Sequence, residues 1–381
     1  MLSVGYVFWA LLLVAALGCQ PASPPAPSNP GPAAAAAAPP TTPPATAAVP
    51  PPVAGSASAA MPRPLDPPAT VRVGLLESIS DSGVYIGYER GYYRELGLEL
   101  QLETIPDPNI ISTMVNANQL DVGGAGVNAN PFQAAARGIG VKMVADKGQF
   151  LPGFGFSGIV VRQDLLDSGA VRSFADLKGR TIARLAPCDS TDPAVERGFE
   201  RAGITRDQVE WTYMGWPDMN VAFANGAIDA GWQIEPLATL AAERGIASKF
   251  AMGDVLYPYQ QIAALFYSPD FAARTDAAQR FMVAYLRSLR DYDDAFLKGI
   301  GRAEIAQILA KHTTVKDLAL YDKITPAGLE PDGRLNVPGI RDDLALYVRL
   351  GCVTGDLSDV SQVVDESFVN YALSMLGPYP R

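Results

Sequence analysis

Histidine is almost absent from these 381 residues, with a single copy at His312, and cysteine occurs only at Cys19, Cys188 and Cys352. Most structural zinc sites, iron–sulfur clusters and disulfide scaffolds need more, so neither a cofactor nor a metal site is expected. Basic charge is short as well: 30 Lys and Arg against 40 Asp and Glu give a net charge of −10. Phosphate backbones are bound where basic side chains cluster, which sets nucleic-acid partners aside. Hydrolase elbows, phosphate loops and HExxH helices leave short signatures, and none occurs here.

Charge is missing altogether before Arg63. Residues 2–17 (LSVGYVFWALLLVAAL) are instead continuously apolar, short for a membrane span, and the small residues Ala15, Ala16 and Gly18 lead into Cys19. This predicts a secretory leader over 1–18. Ala16-Leu17-Gly18-Cys19 resembles a bacterial lipobox, in which the cysteine becomes the lipidated first residue of the mature protein. An uncleaved anchor and a soluble secreted form stay open beside the lipid anchor. Residues 19–68 are nearly all Pro, Ala, Ser and Thr, and 17 of the 32 prolines fall there. Such a segment buries too little apolar surface to offset its ordering entropy, so it is expected to be a disordered tether. At ~3 Å per residue it reaches on the order of 100 Å.

Beyond the tether, short apolar runs alternate with amphipathic segments. Strands are expected at 71–76, 99–104, 121–124 and 141–145, then again at 159–161, 180–184, 209–213 and 230–233, with helices between them. The helix after the first strand is placed at 85–96. This rhythm implies α/β architecture with mainly parallel sheets. Past Tyr267 the pattern turns helical. Two such units are expected as two lobes, with a first lobe over 69–157, a second over 158–255, and a return to the first lobe with C-terminal helices over 256–381. The crossings at 154–158 (within GFGFSG) and 253–262 would form a hinge. One continuous doubly wound sheet is the alternative.

Four ordered segments carry a family resemblance. Tyr85-Ile86-Gly87-Tyr88-Glu89-Arg90-Gly91-Tyr92-Tyr93-Arg94-Glu95-Leu96-Gly97-Leu98 resembles the A-x-E-K-G-Y-F-K-E-x-G-L segment of substrate-binding proteins for sulfonate, taurine, nitrate and thiamine-precursor importers. Residues 116–123 (NANQLDVG) are similar to their L-x-x-G-x-x-D-x-G, residues 176–183 (DLKGRTIA) to D-L-K-G-K-x-V-A, and Gly226, Asp229, Ala230, Glu235 and Pro236 to G-x-x-D-A…E-P. The resemblance covers about 70–270. It implies a type II periplasmic-binding-protein fold with a small ligand in the inter-lobe cleft and a permease and ATPase of an ABC importer as partners. It also implies a monomer at the extracytoplasmic face of a bacterial membrane, or in the periplasm. Pyrimidine synthases share the fold and use a reactive His and a cysteine cluster; Cys188, Cys352 and His312 are scattered. His312 reads as a helix C-terminal cap.

Ligands of open α/β sheets sit beyond the carboxyl ends of strands. That rule selects Ser78, Ser80, Tyr85, Gly126, Asn128, Ser190, Thr191, Trp216 and Trp232, and the resemblance adds Glu235 as a partner for an amine or aminopyrimidine. Tyr257, Tyr259 and Gln261 are weaker candidates. Asp192 with Pro193 is expected to cap a helix, and Asp189 adds a second acid, which disfavours an anion unless Arg184 faces the cleft. Cys188 and Cys352 are free to pair in an oxidising compartment or to stay separate.

Overall fold

The computed structural model describes residues 61–380, apart from positions 356 and 358. The leader, Cys19 and most of the tether lie outside the described residues. Among those described, no helix is long and apolar enough to cross a membrane.

The first sheet takes β1 (Ala69–Leu75), β2 (Leu98–Thr104), β3 (Val122–Gly126), β4 (Lys142–Gln149) and, from far along the chain, β10 (Gln261–Tyr267). β1 pairs in parallel with β2 and β3, whereas β10 runs antiparallel between β3 and β4. The second sheet takes β5 (Ser157–Arg162), β6 (Thr181–Arg184), β7 (Glu210–Tyr213), β8 (Ala230–Ile234) and β9 (Ala247–Met252) in the order β7-β6-β8-β5-β9. Here β5 is the antiparallel strand, paired with β8 and β9. Each sheet is therefore mixed, with one strand reversed where the chain passes from lobe to lobe. Continuous apolar burial on both faces, as in Val122–Gly126 and Gln261–Tyr267, marks the central strands.

The chain passes between the sheets at 150–156 and 253–260. The first passage lies earlier than the expected 154–158, because β4 ends at Gln149 and Gly158 already belongs to β5, and the second stops short of the expected 253–262, because Ile262 already belongs to β10. The expected helix at 85–96 is broken into Ser82–Glu89 and Tyr92–Glu95, parted by Gly91 at φ 78°. Helix Thr275–Leu297 buries Phe281, Tyr285 and Leu289 in the largest apolar cluster. His312 ends helix Arg302–His312, but its main partners are tertiary: Nε2 lies 2.7 Å from Glu89 Oε1, and the ring stacks on Tyr85 at 4.6 Å.

Gly158 packs so closely on β9 that an added Cβ would lie 2.5 Å from Met252 Cα and 2.6 Å from Ala251 O. Backbone cannot yield as a side chain can. Gly158→Ala is expected to destabilise the chain by about 1–3 kcal/mol, read as a lower urea midpoint; an unchanged midpoint would contradict this packing.

Candidate ligand-binding cleft

The carboxyl ends of β1, β3, β6, β7 and β8 face one another across the gap between the two sheets, as expected for a ligand crevice in open α/β sheets. The cavity there encloses about 470 Å3 of empty space, part of it open to solvent. Leu76, Ser78, Ser80, Pro108, Gly126 and Lys147 line it from the first lobe, and Leu185, Asp189, Ser190, Thr191, Trp216, Trp232 and Ile234 from the second. Phe156 from the first passage, Ser157 at the start of β5, and Ile262 and Ala263 near the start of β10 complete the wall.

The first lobe's rim is organised by Asp81. Its Oδ2 accepts the backbone N–H groups of Leu76 (3.2 Å) and Ser78 (2.9 Å) and the Ser78 hydroxyl (3.0 Å). Its Oδ1 lies 2.8 Å from Lys147 Nζ, both side chains being almost wholly buried. Lys147 also donates to Ser80 Oγ at 2.8 Å, and Ser80 Oγ lies 2.8 Å from Ser78 Oγ. The chain Asp81–Lys147–Ser80–Ser78 thus presents hydroxyls while its charges are paired.

The second lobe treats its charges alike. Arg184 is buried, ion-paired with Asp192, donates to Ala186 O at 3.2 Å and lies over the Trp211 ring at 4.7 Å. It is not a lining residue. Burial opposes the Arg184 charge, but Asp189 and Asp192 outweigh it and hold the guanidinium above its ordinary value. Arg206 adds a second ion pair to Asp192. Helix Asp192–Ala202 begins at Asp192 itself, with Thr191 at the N-cap position, so Asp192 serves the two arginines rather than the expected cap. Asp189 turns back on its own loop, accepting the N–H groups of Thr191 at 2.8 Å and Ala186 at 3.3 Å. Burial pushes its pKa up, partly countered by Arg184.

Seven of the sequence-selected residues line the cavity: Ser78, Ser80, Gly126, Ser190, Thr191, Trp216 and Trp232. Gly126 matters through its missing side chain, since a Cβ there would lie 2.3 Å from Ser190 Oγ across the lobe boundary. Trp216 starts helix Trp216–Ala224, and its buried indole N–H has no acceptor among the described residues. Three selections are corrected. Tyr85 is buried against His312, outside the lining. Asn128 caps helix Ala129–Ala136, accepting from Asn130 N at 2.9 Å, and donates to Asn109 Oδ1 at 3.1 Å.

Glu235 is the most consequential correction. It is fully buried, outside the lining, and paired with Lys249. It also accepts from Thr239 N (3.1 Å), Thr239 Oγ1 (2.9 Å) and Thr325 N (3.1 Å). Such a saturated carboxylate joins β8's end to residue 325 and has nothing left for a ligand amine. Of the weaker candidates, Tyr257 lies under Arg197 at 3.7 Å, Tyr259 is exposed, and the Gln261 amide bonds Asp146 at 2.6 Å. Lys147 and the Phe156–Ser157 pair were not selected from sequence; Lys147 reaches the cleft only through Asp81 and Ser80, 66 and 67 residues away, a partnership that leaves no local signal.

Removing one partner of a buried ion pair strands the other. Asp81→Asn is expected to cost about 3–5 kcal/mol, measured by denaturant unfolding, whereas the exposed control Asp164→Asn should change stability by less than ~1 kcal/mol. Equal effects would contradict the organising role of Asp81.

A family model described as NMT1/THI5 like matches residues 79–293. The fold is that of the alkanesulfonate-binding protein SsuA from Xanthomonas axonopodis pv. citri bound to MOPS, at 19% identity and a TM-score of 0.63, covering 78% of this chain and 99% of that one. It is also that of the ligand-binding component of an ABC-type import system from Staphylococcus aureus, solved with zinc bound, at 14% identity and a TM-score of 0.67, covering 80% and 99%. A 4-amino-5-hydroxymethyl-2-methylpyrimidine phosphate synthase from Aspergillus parasiticus is 26% identical over 168 residues, 44% of this chain and 45% of the relative's length. With more than half its length matched by the family model, the chain belongs to the NMT1/THI5-like family.

Proposed function

We infer that this chain is the extracytoplasmic solute-binding component of an ABC importer, held at the membrane through a lipidated Cys19 and the Pro-rich tether, and handing its ligand as a monomer to a permease driven by an ATPase. The ligand is a small planar nitrogen heterocycle of the thiamine-pyrimidine kind, neutral rather than cationic. One observation carries the choice: the lining offers indoles, aliphatic side chains and hydroxyls, while its one cation among the described residues, Lys147, is already paired with Asp81. An aromatic ring gains from stacking on Trp216, and a ring acceptor can take the unpartnered indole N–H. Glu235 has no part in this recognition.

A sulfonate or other anion is the second reading, favoured by Lys147 itself, whose ammonium could exchange Ser80 for an anionic oxygen. It would have to compete with Asp81 for the same charge in a buried setting. The synthase reading has less support, since His312 is engaged by Glu89 and Tyr85 away from the lining and Cys188 is bonded to Cys352.

Thermal-shift measurements with pyrimidines, polyamines, taurine, alkanesulfonates and nitrate separate these readings. A ligand at 100 times its Kd stabilises by about 2.7 kcal/mol. Neutral pyrimidines are expected to raise Tm, and Trp216→Ala to weaken the best of them about tenfold, the loss of ~1–1.5 kcal/mol for one aromatic pair. Stabilisation by a sulfonate or nitrate alone would transfer the site to the anion reading.

A further inference from the structure

Cys188 and Cys352 are joined in a disulfide, with Cα atoms 5.8 Å apart and 164 residues between them in sequence. Cys188 belongs to the second lobe, in the 185–191 loop after β6 that supplies Leu185, Asp189, Ser190 and Thr191 to the cavity wall. Cys352 follows helix Val337–Arg349, which packs Ile340, Leu344 and Tyr347 into the first lobe's core beside Val127 and Phe132. The bond therefore joins the lobes, as a third covalent connection beside the two chain passages.

The same loop carries three weaker ties to the first lobe and the second passage. Cys188 O accepts from Ala129 N at 3.2 Å, Asp189 O from the Tyr347 hydroxyl at 3.0 Å, and Ser190 O from Gln260 Nε2 at 3.0 Å. Hydrogen bonds of this kind exchange readily for water when two lobes part. A disulfide does not: its Cα atoms stay within about 6.8 Å. From 5.8 Å the loop can move away from the first lobe by roughly 1 Å before the bond is taut. Two passages alone leave an axis about which lobes can rotate, whereas this third link, anchored on a helix of the first lobe rather than in a passage, restrains that rotation.

We propose that Cys188–Cys352 is a redox latch on the cleft: oxidised, it holds the 185–191 loop against the first lobe and limits opening; reduced, it frees the loop and lets the cavity exchange its contents. The proposal rests on the cleft being the ligand site. The reductant is a small dithiol or a dithiol protein. Its thiolate attacks one sulfur to give a mixed disulfide and a protein thiolate, which takes up a proton. Its second thiol then displaces the other cysteine, leaving two protein thiols and an oxidised dithiol, two electrons having passed. An oxidising compartment keeps the latch shut.

Hydrogen–deuterium exchange on the full-length protein, without ligand, tests this. Oxidised protein should protect the amides of Ala129 and Thr191. Dithiothreitol should speed exchange at both by at least tenfold while β1 and β10 stay protected, and Cys188→Ser should do the same without reductant. Unchanged exchange at 129 and 191 after confirmed reduction would overturn the latch. So would faster exchange throughout both sheets, which would make the bond a staple of the fold. Because no ligand is used, failure here is separable from failure of the ligand reading, which the thermal-shift panel alone decides.

Discussion

The cleft depends on one buried ion pair, Lys147 with Asp81. Lys147 comes from β4 and Asp81 from the turn after β1, two strands separated in the sheet by β3 and β10. The lysine stem can cross that interval because β3 has glycine at 124, where a Cβ would lie 2.6 Å from Lys147 Cε. Desolvating both charges costs several kcal/mol per ion, so the pair is poorly explained as a source of stability. Its consequence is positional. Asp81 pulls the N–H groups of Leu76 and Ser78 onto one carboxylate oxygen, and that fixes the rim on which Ser78 and Ser80 present their hydroxyls.

Charge cancellation recurs on the other side of the gap. Arg184 is committed to Asp192 beneath the loop, and Asp189 is committed to the loop's own N–H groups. Each lobe thus brings ionic groups close to the cavity and spends them internally. What remains for a ligand is shape, aromatic surface and neutral hydrogen bonding, the usual means by which compact pockets recognise uncharged molecules. A chain with ten more acids than bases has reason to work this way, since its overall field does not draw anions in.

Much of this was legible in the sequence, for definable reasons. Alternating strands and helices leave a periodic signal, and strand ends rich in Ser, Thr and Gly mark crevices; Ser78, Ser190 and Gly126 followed from that rule. Tertiary partnership leaves no such mark. Glu235 reads like a ligand acid until Lys249 and Thr325, distant in sequence, are brought to it. Tyr85 reads as a cleft aromatic until His312 stacks on it. Lys147 was hidden because Asp146 and Lys147 look like the polar end of a strand, yet β4 continues to Gln149, with Asp146 held by Gln261 and Glu330 N–H. An oxidising compartment left Cys188 and Cys352 free to pair, but across a 164-residue separation the sequence could not choose between the bond and two free thiols.

The most direct measurement is a crystal structure of the protein with the ligand that stabilises it most. The expected result is density in the inter-lobe cavity against Trp216 and within hydrogen-bonding reach of the Ser78 and Ser80 hydroxyls, with Lys147 still on Asp81. An anionic group bound by Lys147 with the Asp81 pair broken, or by Arg184 turned away from Asp192, would contradict a cleft whose charges are spent on itself.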